Sequence, residues 1–265
     1  MTTPILMLGA GNMGGAMIDG WRKAKAFAAA DLMIADPSPG LAAQAAVKAG
    51  AALNPADRDL ARAKTVVLSV KPQVWREAAA HYAPLLAKDA VIVSIAAGVK
   101  SSDIAQAFQD RAVARVMPTT AAAIRQGTAS LYAATPQALA RAQALFKPLG
   151  TVVVLADEEL MHAATGVSGS APAYLYAFVE ALEGAGVAAG LAPGDAAKLA
   201  RSTVAGAAAL LAKSAAEPVD LRRQVTSPGG TTEAALNVLL GDHGLPTLLR
   251  EAVANAVRRS KELGG

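Results

Sequence analysis

The chain has 265 residues, no Cys, 25 Lys+Arg against 21 Asp+Glu, and is 53% hydrophobic, 4% aromatic and 17% charged. That length holds one large or two medium domains with a buried core, so neither disulfides nor a structural metal are needed for stability. Without Cys, thiolate chemistry, Fe–S ligation and Cys-based zinc sites are excluded, and His81, His162 and His243 lie too far apart in sequence to form a ligand cluster, so no metal is expected. The net charge of +4 is scattered and aromatic residues are few, which argues against a nucleic-acid partner.

The first apolar segment, Ile5-Leu6-Met7-Leu8-Gly9, has no basic region before it, so no signal peptide is expected. Residues 163–192 form the most apolar long stretch, but Glu180 and Glu183 interrupt it, and no membrane span is expected there. A reducing cytoplasm is compatible with the composition and is the expected compartment.

In chain order, short aliphatic runs predict strands over 5–9, 32–36, 65–70, 91–95, 112–117, 128–133 and 151–155, with a short one over 51–54. Ala-rich helical stretches separate them, the pattern of an α/β fold whose parallel sheet carries helices on both faces. After Asp157 the strand signals stop. Helices are predicted over 171–189, 193–213, 220–226, 231–240 and 245–263, with Pro193 and Pro246 at first-turn positions and Gly190 and Gly241 at helix ends. The change of pattern divides the chain into residues 1–160, a dinucleotide-binding domain of Rossmann type, and residues 161–265, an all-α domain. The Ala- and Gly-rich helices have little bulky apolar surface of their own, so association with a second subunit is expected.

Gly9-Ala10-Gly11-Asn12-Met13-Gly14 follows the first strand and opens a helix. The first Gly allows a tight turn, the second admits a pyrophosphate against the backbone, and the third allows close helix packing. Asp36 ends the second strand at the roughly 20-residue interval expected for the acidic group that binds the adenine ribose. Its carboxylate favours NADH and leaves NADPH open, because Ser38 in the following Pro37-Ser38-Pro39 turn offers a phosphate contact if Asp36 points away; an Asp–Pro turn cap is the other reading. Lys71, after the strand at 65–70, belongs either to the ligand crevice or to solvent. Small residues at Ser94-Ile95-Ala96-Ala97-Gly98 leave room for a nicotinamide ribose, or simply pack.

In the second half, Thr226-Ser227-Pro228-Gly229-Gly230-Thr231-Thr232-Glu233 precedes a helix. Backbone amides freed by two glycines at a helix N-terminus make a receptor for a small carboxylate; a capped helix start without ligand is the alternative. Thr165 to Tyr174 reads as a tight turn feeding a long helix, with Glu158 just upstream.

Together these segments resemble the pyrroline-5-carboxylate reductases, which reduce a cyclic imine to proline. The resemblance rests on Gly9-Ala10-Gly11, Val70-Lys71-Pro72, Ser94 to Gly98, Arg115-Val116-Met117-Pro118, Thr165 to Ser170 and, above all, Thr226 to Thr232. It implies a doubly wound Rossmann-type sheet followed by an all-α dimerisation domain. The implied activity is NAD(P)H-dependent reduction of 1-pyrroline-5-carboxylate to L-proline, the last step of proline biosynthesis, in a homodimer that assembles further. Leu8, Gly9, Ala10, Gly11, Asn12 and Met13 would bind the coenzyme pyrophosphate, Val70, Lys71, Pro72, Ala96 and Ala97 would line its nicotinamide side, and Gln224 would contact it. Ser227, Gly229, Gly230, Thr231 and Thr232 would meet the substrate, with Glu158 at the same pocket and the Thr232 hydroxyl at the ring nitrogen as the catalytic group. Thr119-Thr120-Ala121 replaces the family's usual Asn-Thr-Pro, Ala171 replaces a Gly, and the Asn that the family often has after its third strand finds only Asn54 nearby, out of register. The first two departures motivate one alternative, a nucleotide-binding paralogue without reductase activity; a β-hydroxyacid dehydrogenase is the other.

Overall fold

The computed structural model describes residues 3–263. Among them, strands β1 (Ile5–Leu8), β2 (Leu32–Ala35), β3 (Ala52–Leu53), β4 (Thr65–Leu68), β5 (Val91–Ser94), β6 (Val113–Pro118), β7 (Gly127–Ala133) and β8 (Gly150–Val154) form one sheet, in the order β3-β2-β1-β4-β5-β6-β7-β8. The first seven helices are α1 (Asn12–Ala24), α2 (Leu41–Lys48), α3 (Asp57–Leu60), α4 (Trp75–Tyr82), α5 (Ser101–Ala107), α6 (Pro136–Phe146) and α7 (Leu160–Ala164).

Because β-strand side chains alternate between faces, the strands feed two separate apolar layers. Ile5 and Met7 of β1 pack with Met17, Ile18 and Trp21 of α1, Ala43 and Ala46 of α2, and Leu145 and Phe146 of α6. Leu6 and Leu8 pack on the opposite face with Leu60 of α3, Trp75 and Ala79 of α4, and Ile104 of α5. All four residues of β1, β2, β4 and β5 are buried, as both-sided coverage requires. The buried indole N–H of Trp21 donates to the Leu145 carbonyl at 2.8 Å, so this large side chain leaves no polar atom stranded.

One pairing breaks the parallel pattern expected from sequence: β7 runs antiparallel to β6. The residues between them form a compact turn through Thr120–Ile124, too short for a crossover helix. Thr119 holds that turn, with its N–H on the Thr128 carbonyl and its hydroxyl accepting the Thr128 N–H, each at 3.0 Å. The first sequence departure thus has a structural use. The segment after α7 also differs from the expected turn: the helix continues through a π-helical stretch, Thr165–Gly169. There the Thr165 and Ser168 hydroxyls donate to carbonyls four residues back, Met161 at 2.7 Å and Ala164 at 2.8 Å, which perturbs the regular helical ladder.

Packing separates two compact units. One comprises the chain through Gly169 together with the end of the chain from Asn255, and the other is Ser170–Ala254. In the first unit, Ser260 is buried and lies 3.0 Å from Nδ1 of buried His162. The second unit is built from α8 (Ala171–Ala188), α9 (Pro193–Lys213), α10 (Pro218–Gln224), α11 (Thr231–Leu239) and most of α12 (Leu245–Glu262). Helices α8 and α9 turn back on each other through Gly190 in the left-handed conformation (φ 101°). They approach closely at Gly186, where an added Cβ would lie 3.2 Å from that of Ala196. Only Ala196 and Ala200 are buried within the second unit, and Leu175, Phe178, Leu182, Leu199, Leu210, Leu248 and Leu249 are exposed.

Candidate functional site

Strand register brings the expected coenzyme residues to one edge of the sheet. Leu8 pairs with both Ala35 and Leu68, and Leu68 pairs with Ser94, so the chain leaves β1, β2, β4 and β5 at the same level. Gly9, Asp36, Ser69 to Pro72 and Ile95 to Ala97 therefore follow the carboxyl ends of adjacent strands. The order reverses direction between β1 and β4, and such a switch point opens the crevice in which open α/β sheets bind ligands.

The glycine loop has the shape a dinucleotide needs. Gly9 adopts φ 87°, and an added Cβ would stand 3.0 Å from the Ser69 carbonyl oxygen; one at Gly14 would stand 2.7 Å from the Gly9 carbonyl oxygen. At Gly11 it would meet nothing within 4 Å and would project into open space. Gly11 caps α1, whose first turn holds no acidic residue, and the amides of Gly11, Asn12 and Met13 have no protein acceptor among the described residues. Free N–H groups at the positive end of a 13-residue helix suit a pyrophosphate. The residues present thus fit a dinucleotide. Ser69, which the sequence reading passed over, supports the loop: its hydroxyl lies 3.0 Å from the Leu8 carbonyl oxygen and 2.5 Å from that of Gly9.

Asp36 is fixed on four sides. Its Oδ2 accepts the Ala10 N–H at 2.5 Å, and its Oδ1 accepts the Ser38 N–H at 2.7 Å. Asn54 grips its backbone, accepting the Asp36 N–H at 3.0 Å and donating to the Asp36 carbonyl at 3.1 Å. Asn54 itself sits in the left-handed region (φ 45°), a conformation Asn tolerates better than most residues. An Asn directly after a short strand was the sequence signal for this support. Along the same edge, Lys71 is exposed, Val70, Pro72 and Ala97 are half-buried, and Ala96 is buried with its N–H on the Ser94 hydroxyl at 3.2 Å.

Glu158 lies in the first unit with both oxygens in use. Oε1 accepts from Arg115 Nη1 at 2.8 Å and from the Ser101 N–H at 2.6 Å, and Oε2 accepts from the Ser101 hydroxyl at 2.6 Å. Burial pushes this carboxyl up, but the hydrogen bonds from Ser101 and Arg115 outweigh it and leave its pKa below the ordinary value. This carboxylate thus joins the N-terminus of α5 to β6. Nearby His162 is held below its usual pKa by burial and then by the charge of Arg115.

In the second unit, residues 226–233 fold into a turn that starts α11. Gly229 has φ 70°, which its lack of a side chain permits. Its N–H donates to the Glu233 carboxylate at 2.7 Å, and the Gly230 N–H donates to the Ser227 carbonyl at 3.0 Å. The amides of Thr231 and Thr232 have no protein acceptor among the described residues, and the hydroxyls of Ser227, Thr231 and Thr232 have no partner there either. The receptor is therefore narrower than the sequence suggested: first-turn amides and hydroxyls are open, while both glycine amides are engaged. Gln224 ends α10 and is exposed. Among the described residues, no group of His, Asp and Glu has the geometry of a metal site.

A doubly wound sheet with this glycine loop at its switch point, followed by an all-α unit, is the architecture of a dinucleotide-dependent oxidoreductase. Residues 158–263 match the family described as pyrroline-5-carboxylate reductase dimerisation, and residues 4–98 match that described as NADP oxidoreductase coenzyme F420-dependent. The chain is 39% identical to a pyrroline-5-carboxylate reductase of Pseudomonas aeruginosa over 99% of its own length and 98% of the relative's. Identity to the pyrroline-5-carboxylate reductase of Synechocystis is 37%, over 100% and 99% of the two chains. A solved pyrroline-5-carboxylate reductase from Coxiella burnetii superposes over 100% of both chains with a TM-score of 0.89 at 29% identity. The chain belongs to the pyrroline-5-carboxylate reductase family.

Proposed function

We propose that this chain reduces 1-pyrroline-5-carboxylate to L-proline with NADH or NADPH, acting on a C=N bond in the last step of proline biosynthesis. The observation that carries the reading is the open first turn of α11, a carboxylate-sized receptor, in a chain that matches reductases of this imine along its whole length.

A reduced nicotinamide, when bound, supplies the hydride that C5 of the imine accepts. A protonated imine carbon is already electrophilic, so the protein's task is alignment and charge placement, with no strong acid required. Leu8 to Met13 would hold the pyrophosphate, Val70 to Pro72 with Ala96 and Ala97 would line the nicotinamide side, and Gln224 would contact the coenzyme. The Thr231 and Thr232 amides orient the substrate carboxylate, the Ser227, Gly229 and Gly230 turn frames it, and the Thr232 hydroxyl holds the ring nitrogen. Glu158 would stand at the same pocket, where its carboxylate also fixes Ser101.

The functional division we propose follows residues 1–160 for the dinucleotide and 161–265 for substrate and dimerisation. Helices with so little buried surface support a homodimer, with larger assemblies built from it, and no described helix is long and apolar enough to cross a membrane. The cytoplasm is the compartment that this reading favours. The test is loss of reduced-nicotinamide absorbance with purified protein and pyrroline-5-carboxylate. Imine-dependent oxidation that yields proline supports the reading, and coenzyme binding without turnover overturns it.

A further inference from the structure

We propose that Asp36 makes this chain NADH-selective: its carboxylate receives the adenine-ribose diol and excludes the 2′-phosphate of NADPH. This rests on the dinucleotide reading above and narrows it to one coenzyme.

Orientation comes first. The sequence left three outcomes open, with Asp36 facing the ribose, turned away so that Ser38 could take a phosphate, or capping the Asp–Pro turn; the Ser38 N–H on Oδ1 shows that it caps the turn and still keeps acceptor positions on both oxygens. In the structure the carboxylate is held between the glycine loop and the turn after β2, with one oxygen on the Ala10 N–H and the other on the Ser38 N–H. The two Asn54 bonds to the Asp36 backbone prevent the residue from rolling away. Each carboxylate oxygen accepts one backbone N–H and keeps a further acceptor position. A vicinal diol supplies two donors and matches this pair, whereas a phosphate monoester at neutral pH supplies only acceptors and a charge near −2.

The surroundings reinforce the choice. Of two cavities beside Asp36, one of about 300 Å³ holds Asp36, Asp57 and His81 in its wall, and the other, of about 570 Å³, holds Asp19 and Ser38. Neither wall contains a Lys or an Arg. A 2′-phosphate would thus meet a fixed carboxylate without the guanidinium or ammonium that NADP-binding sites supply.

The experiment is equilibrium titration of the full chain with NADH and with NADPH, followed by nicotinamide fluorescence and repeated by calorimetry, with no substrate present. NADH is expected to bind at least about tenfold more tightly, the least that repulsion between the carboxylate and the phosphate produces at contact distance. Asp36→Ser is expected to close that gap by about tenfold, weakening NADH and tightening NADPH. Equal affinities, or tighter NADPH, in the unaltered chain overturn the proposal, as does an unchanged ratio in folded Asp36→Ser. The native ratio needs no variant, so a misfolded substitution does not shield the proposal from refutation. Binding of neither coenzyme overturns the underlying dinucleotide reading and the selectivity with it, whereas tight NADPH binding overturns the selectivity alone.

Discussion

Buried Arg115 and partly buried Glu158 form an ion pair across 43 residues of sequence, with Nη1 and Oε1 2.8 Å apart and side chains 4% and 21% exposed. Arg115 Nε has no hydrogen-bond partner, so Glu158 is the main compensation for a guanidinium taken out of water. Removing one member of such a pair leaves the other charge stranded, at a typical cost of about 3–5 kcal/mol. Glu158→Gln is therefore expected to lower unfolding free energy by roughly 3 kcal/mol, measured by urea denaturation.

The same carboxyl gives a pH dependence with a definite sign. Its folded-state pKa is lowered, so folding releases protons, and the stabilisation is complete above the unfolded-state pKa. It disappears as pH falls from the unfolded value, about 4.3, through the lower folded value. Denaturation midpoints of the native chain should decline over that acid window, and Glu158→Gln should decline less. Parallel profiles would remove this assignment.

Two glycines of the coenzyme loop should separate folding from binding. A Cβ at Gly11 meets nothing within 4 Å, whereas one at Gly14 would press on the Gly9 carbonyl oxygen at 2.7 Å. Gly11→Ala is expected to keep the melting temperature of the native protein while weakening coenzyme binding by about tenfold or more, because the methyl stands where a pyrophosphate would approach. Gly14→Ala is expected to lose stability by about 1–3 kcal/mol as well, the usual cost of overpacking. Thermal melts with coenzyme titrations distinguish the two.

The division between what was readable and what was not follows the range of the interactions. The strands at 5–9, 32–36 and 65–70 declared themselves because aliphatic residues occupy both alternating positions, and Pro193 and Gly190 marked helix ends by local geometry alone. Asp36 was legible by spacing, but its direction was not, since that depends on Ala10 and on Asn54, which strand pairing brings beside it. The support from Ser69 and the ion pair of Glu158 were opaque for the same reason: each is defined by a partner more than 40 residues away. The narrowing of the receptor in the second unit comes from Glu233 at the third position of α11, which reaches back to Gly229. A capping pattern is local, so this feature was available to a reading that gave weight to Glu233.

Substitution of Thr232 should separate substrate chemistry from coenzyme binding. It sits in the first turn of α11 with its hydroxyl free among the described residues, and it is assigned to the ring nitrogen. A hydrogen bond to a charged group is worth about 1.5–3 kcal/mol, or roughly 10- to 100-fold. Thr232→Ala should lower kcat/KM for pyrroline-5-carboxylate by that factor and leave the coenzyme Kd unchanged, and Thr232→Ser should recover most of the loss. Unchanged turnover in Thr232→Ala would dissociate this residue from the reaction.

The exposed helices of the second unit make the strongest prediction about assembly. Leu245, Leu248, Leu249 and Ala252 lie on one stripe of α12 at helical spacing, beside Tyr174, Phe178 and Leu182 of α8, in an open groove of about 560 Å³. Leu248 is 56% exposed and Leu249 46%, in a unit where only two alanines are buried. A second copy that covered this face would bury a leucine side chain worth about 1.5–3 kcal/mol, and a two-fold interface counts each substitution twice. Leu249→Glu places a carboxylate in the same position on both sides, where burial without a partner is unfavourable. Sedimentation equilibrium should show a dimer or larger species for the native chain and a shift toward monomer for Leu249→Glu, with a lower melting temperature that no longer rises with protein concentration. An unaltered assembly state in the variant would place the dimer contact on another face of these helices.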